Sequence, residues 1–541
     1  MTDEDATSAT IRHYHDATKH TMHRYAAGPE ALDWDDQPEA FRWFDGAAKT
    51  DLPLIADSLK TLYIDLYQPG KIEPMPLTLD SIGGLLELSF GLAAWKQYGD
   101  AKWALRCNPS SGNLHAEEAY LICNGGDGLA AGVHHYLSRD HQLEQRCRYT
   151  EDTLPANTLL LGISSIQWRE AWKYGERAYR YCQLDTGHAM AALRYAAATL
   201  GWKVEVMDSI SDQQLATLLG LERGADFGNA EPEHPDLLLQ ISTTAETNNV
   251  ALDTVLDAAA AGEWQGKANI LSEHHMYEWP VIDAVSTAAE KPLTQTASAA
   301  PHEYPAPLSS PCTLEATLLI RRRRSAQAFD GQSTIGSETF YRMLDMTLPR
   351  PNTVPWDCTP WNDSINLILF VHRVDELKPG LYALVRNPDT FDSFRTAVSR
   401  EQFQWQSVDG CPSHLPLYNL VNANGQNLAA TLACHQGIAG QSCFSLAMIA
   451  DTAVMENDSW HYRTLYWEAG MIGQVLYLEA EAAGIQGTGI GCYFDDAAHE
   501  VLGIQDQRWQ DLYHFTVGKG IHDGRIQTIA PYAHLNGKIT R

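Results

Sequence analysis

The segment Tyr179–Leu221, YRYCQLDTGHAMAALRYAAATLGWKVEVMDSISDQQLATLLGL, can be laid over Tyr462–Ile504, YRTLYWEAGMIGQVLYLEAEAAGIQGTGIGCYFDDAAHEVLGI, without a gap. The coincident positions are Tyr179-Arg180 with Tyr462-Arg463, Gly187 with Gly470, Leu193 with Leu476, Gly201 with Gly484, and Leu219-Gly220 with Leu502-Gly503. Helical amphipathicity would align the apolar positions, but not the Tyr-Arg and glycine pairs. We therefore predict two copies of one unit in this chain, in preference to a chance similarity.

The predicted unit contains both helices and a sheet. In each copy a long helix is followed by a short helix that ends in Leu-Gly, where glycine supplies a left-handed C-cap. Continuous apolar runs, typical of buried strands, lie at Glu118–Asn124 and Leu237–Ile241 in the first copy. The corresponding runs in the second copy are Ile365–Val374 and Leu512–Val517. The pattern predicts an α+β fold, in which each copy is a sheet flanked by helices.

A change of composition separates the two copies. Residues 286–311 contain five prolines and many Ala, Ser and Thr residues, which predicts an extended linker. We expect an N-terminal domain over 1–285 and a C-terminal domain over 312–541. The stretch of about 60 residues that follows Leu221 carries no motif that we can interpret.

Charge and composition exclude several classes of function. A net charge of -29 argues against binding to nucleic acids or to anionic lipid. The acidic N-terminus does not resemble a secretory signal, and no apolar run approaches the roughly 18 residues of a membrane span. None of the ten cysteines forms a C-x-x-C pair, so we expect reduced, structurally buried thiols and no metal site. These features predict a cytoplasmic protein.

Two segments of the second copy suggest a site for a phosphate-bearing ligand. In IRRRRSAQAF (Ile320–Phe329), four consecutive arginines repel one another unless an anion lies among them, for example a phosphate bound by Arg323 and Ser325. The alternative is a solvated basic face. In GIQGTGIGCYFDD (Gly484–Asp496), four glycines within eight residues would let backbone N–H groups approach a phosphate or flavin. The alternative is an ordinary turn.

Two segments of the first copy suggest the remainder of that site. RCNPSSGNLHAEEAY (Arg106–Tyr120) offers hydroxyl and amide groups that suit the rim of a polar heterocycle, although they would equally serve as an N-cap turn. WREAWKYGERAYRY (Trp168–Tyr181) places Lys173 beside Tyr174 among tryptophans, where partial desolvation of the ammonium favours proton transfer. The alternative is an aromatic helix face with a solvated lysine.

Together these segments resemble the nitroreductase superfamily, and within it the SagB/ThcOx-type (McbC-like) dehydrogenases of thiazole- and oxazole-forming pathways. The resemblance extends from YHDATKHT (Tyr14–Thr21) to the GIGCYFDD segment, and the Lys-Tyr pair of KYGERAYRY is its most specific element. It implies tandem nitroreductase-like domains that form an intramolecular pseudo-dimer. In that superfamily FMN lies at the dimer interface.

The resemblance implies one composite FMN site. The cofactor-binding residues would be Pro109, Ser110, Ser111 and Asn113 from the first copy, and Arg323, Arg324, Ser325, Gln327, Gly489, Ile490, Gly491, Lys519 and Arg525 from the second. Lys173 and Tyr174 match the family's catalytic pair, which is implied to remove a proton while the flavin accepts a hydride. Oxygen would then reoxidise the flavin.

Departures from the family pattern suggest that the reciprocal site is lost. Gln327 stands where the superfamily often has Arg or Lys, so the other arginines would take over phosphate contacts. On the opposite side, Lys19–Tyr25 is a degraded counterpart of RRSAQAF, and Lys203–Asp208 replaces the glycines. Glu456 and Asn457 stand where the Lys-Tyr pair would be, and Pro355–Asp363 where PSSGN would be. We therefore expect one FMN per chain.

The favoured interpretation is an FMN-dependent dehydrogenase that oxidises azoline rings to azoles on a peptide or carrier-bound intermediate, with other enzymes of a biosynthetic complex as partners. The first alternative is an NAD(P)H-dependent nitroreductase or quinone reductase of the same superfamily. The second is a non-catalytic scaffold subunit of a biosynthetic complex. The source or acceptor of electrons distinguishes the first two, and flavin binding distinguishes both from the third.

Overall fold

The structure is a computed structural model that describes residues 3–244, 250–295, 302–456 and 458–535. Asn457 and the central part of the predicted linker, residues 296–301, therefore lie outside the described residues. The described flanks of the linker are held by hydrogen bonds, from Lys291 Nζ to Ile210 O (2.9 Å) and from Tyr304 Oη to Arg386 O (2.8 Å). Within the described residues, no helix is long and apolar enough to cross a membrane.

The first copy begins with a helix and contains a large sheet. Its helices are α1 (Asp3–Ala17), α2 (Leu79–Ser89), α3 (Gln167–Tyr174), α4 (Ala178–Thr199), α5 (Asp212–Leu219), α6 (Gly224–Phe227), α7 (Leu252–Ala261) and α8 (Pro280–Ala288). Its strands are β1 (Phe44–Asp45), β2 (Ala48–Asp51), β3 (Leu92–Tyr98), β4 (Ala101–Arg106), β5 (Glu117–Cys123), β6 (Gly132–Leu137), β7 (Gln142–Arg148), β8 (Leu159–Ser165), β9 (Lys203–Val206), β10 (His234–Ser242), β11 (Glu263–Trp264) and β12 (Lys267–Ala268).

The second copy repeats this arrangement. Its helices are α9 (Ala316–Arg322), α10 (Ser337–Met346), α11 (Phe391–Ala397), α12 (Gln426–Leu432), α13 (Gly437–Gln441), α14 (His461–Ala482) and α15 (Asp495–Leu502). Its strands are β13 (Ile365–Val371), β14 (Gly380–Leu384), β15 (Gln406–Ser407), β16 (Leu417–Asn422), β17 (Phe444–Asp451), β18 (Gln486–Ile490), β19 (Trp509–Gly518) and β20 (Gln527–Ile529).

The two large sheets have the same topology, which confirms the predicted duplication and the α+β class. One sheet runs β7-β6-β5-β8-β10-β9, and the other runs β16-β14-β13-β17-β19-β18, so strands that correspond in chain order occupy the same places. The four strand-like runs of the sequence are β5, β10, β13 and β19. A third sheet, β20-β3-β4, joins the last strand of the second copy to a hairpin of the first.

The matched glycines of the long helices lie where α4 and α14 pack against each other. A Cβ atom at Gly187 would stand 2.2 Å from Trp467 O, and one at Gly470 would stand 2.2 Å from Leu184 O. Because each clash would be with backbone, only glycine allows the two helices to approach so closely. The short helices also end as predicted, since Gly220 (φ 72°) and Gly503 (φ 81°) are left-handed caps.

The matched arginines form reciprocal buried ion pairs between the copies. Arg180 Nη1 lies 2.9 Å from Asp495 Oδ1, and Arg463 Nη1 lies 2.8 Å from Asp212 Oδ2. Asp212 and Asp495 superpose in the gap-free alignment, and they are the first residues of α5 and α15, where a negative charge is favourable. The long helix of each copy thus holds the short helix of the other, which explains why both Tyr-Arg pairs persist.

Candidate functional site

A cleft of about 660 Å³ opens between the two copies, and most of the predicted site residues line it. The predicted residues in its wall are Pro109, Ser110, Ser111, Asn113, Tyr174, Arg323, Arg324, Ser325, Gln327, Gly489, Ile490 and Gly491. They come from the loop after β4, the end of α3, the turn after α9, and β18 with its following loop. Segments that are far apart in sequence therefore meet in one place.

Three predicted residues do not line the cleft. Lys173 lies behind Tyr174, with its ammonium 5.3 Å from the centre of the Tyr174 ring. Lys519 is exposed and donates a hydrogen bond to Gly484 O (3.2 Å). Arg525 is also exposed and pairs with Asp523 (2.7 Å), which is itself part of the cleft wall.

Two adjacent arginines form the centre of the second copy's wall. Arg323 is buried, and its guanidinium donates to Cys107 O (3.2 Å) and Arg106 O (3.3 Å) of the first copy. Arg324 is half-buried, and its pKa is lowered to about 10 by burial and by the charge of Arg323. Arg324 donates to Ala93 O (3.1 Å), so backbone carbonyls hold both guanidinium groups at the cleft.

One further cation that the sequence did not single out as a ligand, Lys96, completes a basic cluster with Arg323 and Arg324. Burial, together with the charge of Arg324, lowers the pKa of Lys96, whereas the guanidinium of Arg106 donates to Glu117 O (3.0 Å) and Ala40 O (2.9 Å). In a chain of net charge -29, three cations around one cleft attract an anion, and an anion would relieve their mutual repulsion. Lys96 lies on β3, with no local motif that could have identified it.

Tyr477 of α14 connects the arginine turn to β18. Its hydroxyl lies 2.7 Å from Ser325 Oγ and accepts a hydrogen bond from Gly489 N (3.1 Å). The Arg323 guanidinium lies over the same ring, 4.9 Å from its centre. Tyr477 therefore orients the serine and the glycine strand relative to the basic cluster.

The glycines of β18 serve mainly to accommodate aromatic rings. A Cβ atom at Gly489 would stand 1.7 Å from Tyr513 Oη, and one at Gly491 would stand 2.3 Å from the Tyr181 ring. Of the four glycines in this segment, Gly484 has a positive φ (71°). The strand and its following loop thus pass directly over Tyr181 and Tyr513, which the sequence pattern did not indicate.

The PSSGN loop is held from below by Asp185 of α4. Asp185 accepts hydrogen bonds from Ser111 N (2.7 Å) and Ser111 Oγ (2.8 Å), while Ser110 Oγ accepts one from His115 N (2.8 Å). Both serines therefore make hydrogen bonds within the protein that fix the conformation of the loop. Asn108, just before the loop, is buried and lines the cleft, and among the described residues neither atom of its amide has a hydrogen-bond partner.

An orphaned buried amide is costly unless a ligand satisfies it. The Asn108 amide and the basic cluster therefore fit a cofactor that combines a phosphate with hydrogen-bonding groups on a ring, as FMN does.

Acidic and phenolic groups meet at the Tyr174 end of the cleft. Burial raises the pKa of Asp185 to about 7, against the lowering effect of its bonds from Ser111. Burial and the charge of Glu170 raise the pKa of Tyr174, so its hydroxyl stays protonated at neutral pH. That hydroxyl lies against Gly112, where a Cβ atom would stand 2.5 Å from it. Asp185 was missed because only the tertiary fold brings this residue of YRYCQLDTGH under the loop.

The opposite side of the pseudo-dimer is arranged differently. Arg194, which superposes on Tyr477, forms a two-pronged ion pair with Asp357 at 2.8 Å for both contacts. Asp357 belongs to the segment 355–363, which in the sequence comparison occupies the position of PSSGN in the second copy. β9, the counterpart of β18, carries KVEV in place of the glycines.

Comparison with known proteins identifies the fold. Residues 320–519 match the nitroreductase family model, and none of the curated proteins matches the chain. A crystal structure from Anabaena variabilis, assigned as a nitroreductase, is 21% identical and covers 95% of this chain and 99% of its own, with a TM-score of 0.63.

Two other solved structures have lower similarity. One from Ralstonia eutropha, also assigned as a nitroreductase, is 14% identical over 42% of this chain and 96% of its own (TM-score 0.28). The E. coli microcin synthetase McbBCD complex with truncated pro-MccB17 bound is 17% identical over 45% of this chain and 94% of the matched one (TM-score 0.26). These two scores are too low to carry information about function. The chain therefore has a nitroreductase-like fold in both copies, and residues 320–519 match the nitroreductase family model.

Proposed function

We propose that this chain is an FMN-dependent oxidoreductase with one composite active site, which dehydrogenates azoline rings of a peptide or carrier-bound intermediate to azoles. The observation that carries the proposal is the meeting of the basic cluster, the PSSGN loop and Tyr174 in a single cleft. Neither copy alone contains all three.

FMN is the cofactor, and the nitroreductase family match over 320–519 supports it. Arg323 and Arg324 would hold its phosphate, with Lys96 adding positive potential. Asn108 and the PSSGN loop would contact the ring system. When bound, FMN supplies two-electron redox chemistry, and the surrounding protein supplies orientation and proton transfer.

The proton transfers are assigned to the Tyr174 end of the cleft. Formation of an azole from an azoline removes one proton and one hydride from adjacent atoms of the ring. Asp185, whose pKa is about 7, can hold that proton at a carboxyl oxygen near neutral pH. The protonated Tyr174 hydroxyl can donate a hydrogen bond to the substrate, and Lys173 acts through the Tyr174 ring on which its ammonium lies.

The proposal is tested by flavin content and by oxidation without nicotinamide. We expect the purified chain to hold one FMN and to oxidise an azoline-containing peptide with oxygen as the acceptor. Rapid NAD(P)H oxidation with a nitro or quinone substrate, and none with the azoline peptide, would support the reductase alternative instead. A colourless protein that gains no flavin absorbance with added FMN would support the scaffold alternative.

A further inference from the structure

Two cysteines from distant parts of the second copy meet at the edge of the cleft. Cys492 follows β18 and lines the cleft, and Cys434 follows α12. The two segments are joined by hydrogen bonds from Phe494 N to Leu432 O (2.8 Å) and from Gln436 Nε2 to Cys492 O (3.2 Å). These contacts, on both sides of Cys434 and at Cys492 itself, bring the two cysteines next to each other, and each thiol affects the pKa of the other.

Accessibility separates this pair from most other thiols of the chain. Seven of the ten cysteines are buried, as the sequence suggested, whereas Cys411, Cys434 and Cys492 are half-buried. Cys434 also has a positive φ (51°), as does His435 after it (61°). A positive φ is unfavourable for a non-glycine residue, and two such residues in succession persist only where the surrounding structure holds them. The turn that carries Cys434 is therefore a constrained feature of the fold.

Positively charged and hydrogen-bonding groups surround the Cys492 sulfur. His20 pairs with Phe494 in an isolated β-bridge close to Cys492, and its Nδ1 accepts a hydrogen bond from Ala26 N (2.9 Å), so Nε2 is the ring nitrogen that can donate. Arg177 donates to Gly491 O (3.1 Å), directly before this cysteine. The neighbouring Cys434, followed by His20 and Arg177, lowers the pKa of Cys492 against the effect of burial. A thiolate in such surroundings is a nucleophile at neutral pH.

We propose that Cys434 and Cys492 are a redox-active thiol pair, which hydrogen peroxide converts into an intramolecular disulfide at the edge of the cleft. The Cys492 thiolate attacks one peroxide oxygen, the O–O bond breaks, and the departing hydroxide takes up a proton to leave as water. The Cys434 thiol then attacks the sulfenic sulfur, an S–S bond forms, and a second water leaves. Both cysteines are oxidised and the peroxide is reduced. The step uses no group beyond this chain and peroxide.

Cys411 offers a matched control. It is half-buried like the pair, but its thiol faces Leu415 O (3.8 Å), and burial raises its pKa to about 12. It therefore has similar access to solvent and no stabilised thiolate.

The test treats the full chain with one equivalent of hydrogen peroxide and measures intact mass, followed by peptide mapping without reduction. We expect the loss of two hydrogen atoms per chain, a Cys434–Cys492 cross-link, and full reversal by dithiothreitol. Cys411→Ser should behave like the wild type. Cys492→Ser should form no cross-link, and Cys434→Ser should leave a sulfenic acid on Cys492 that dimedone traps.

A second measurement does not depend on any cysteine variant. Alkylation of the reduced wild-type chain near pH 6 should modify Cys492 at least about tenfold faster than Cys411, and His20→Gln should reduce that difference. A cross-link between chains, oxidation of Cys492 in the wild type without a cross-link to Cys434, or equal alkylation of Cys411 and Cys492 would overturn the proposal. None of these readouts requires bound flavin or turnover, so they are independent of the proposed function.

Discussion

The two sides of the pseudo-dimer keep the same framework but carry different chemistry. The ion pairs Arg180–Asp495 and Arg463–Asp212 occupy equivalent places on the two sides. The chemistry around the cleft, in contrast, differs. On the cofactor side, Tyr477 contacts Ser325 and Gly489. On the opposite side, its counterpart Arg194 forms an ion pair with Asp357.

This difference separates two kinds of constraint. A contact at the packing of α4 against α14 affects both copies at once, so a change in either copy destabilises the whole chain. A ligand site needs to be complete on one side only, and the other side is then free to change. Substitutions on the two sides should therefore affect different measurements.

The largest expected effect is on the framework. Asp495→Asn leaves Arg177 and Arg180 buried without their carboxylate, which should lower the free energy of unfolding by about 3–5 kcal/mol. Asp212→Asn, which leaves one arginine unpaired, should cost less. The control is Asp496→Asn, at the next residue but with its side chain 59% exposed, which should change stability by less than about 1 kcal/mol. Urea unfolding measures all three, and equal effects of Asp495→Asn and Asp496→Asn would contradict the prediction.

The next effect concerns the cofactor side. Arg323→Ala should weaken FMN binding by about 2 kcal/mol, or roughly thirtyfold in Kd, because it removes a buried cation from the basic cluster. The exposed neighbour Arg322 is the matched control, and Arg322→Ala should leave Kd almost unchanged. Fluorescence titration of the apoprotein with FMN gives both values. The assignment of the phosphate site would be wrong if the two variants bound FMN equally well.

A smaller change in stability is expected at the helix packing. Gly187→Ala should destabilise the chain by roughly 1–3 kcal/mol, because its Cβ would meet Trp467 O at 2.2 Å. Gly224→Ala, at a glycine with nothing within 4 Å of a new Cβ, is the control. Thermal unfolding gives the melting temperature of each variant. Equal melting temperatures for Gly187→Ala and Gly224→Ala would mean that α4 and α14 can move apart without loss of stability, and would contradict the prediction.

These expectations follow from the part of the molecule that the sequence predicted well. The Gly187–Gly470 and Arg180–Arg463 matches were visible because both copies retain them for the same packing reason. Asp185 and Asn108 were not identified, since their roles depend on which backbone lies above them in the folded chain. The sequence predicted that the glycines of β18 and its following loop let backbone N–H groups approach a ligand. In the structure they make room for the rings of Tyr181 and Tyr513, which come from other elements and so could not be predicted from this segment.

A further prediction concerns the Lys-Tyr pair, which only one side retains. Lys173→Met should leave FMN content unchanged and lower kcat by roughly tenfold, because it removes the cation that lies 5.3 Å from the Tyr174 ring centre. Lys173→Arg keeps a cation there and should recover most of the activity. Loss of flavin in Lys173→Met would instead assign the lysine a structural role.

The final expected effect is a change in the pH dependence of stability at Asp185. Its folded-state pKa of about 7 lies above that of an unfolded aspartate, so the folded chain retains a proton that the unfolded chain releases. The stability from this group is therefore present below about pH 4 and lost as the pH rises through about 7. Asp185→Asn cannot ionise, so its unfolding free energy should fall less over that window than that of the wild type.

The matched control for this measurement is Asp100→Asn, at an exposed aspartate of the β3–β4 turn. Its profile of unfolding free energy against pH should run parallel to that of the wild type. Asp236, whose pKa burial raises to about 6, contributes a similar loss in both chains, so only the difference between wild type and Asp185→Asn reports on the cleft. If those two profiles were also parallel, Asp185 would already be ionised in the folded chain, and it could not hold the proton that the proposed dehydrogenation releases.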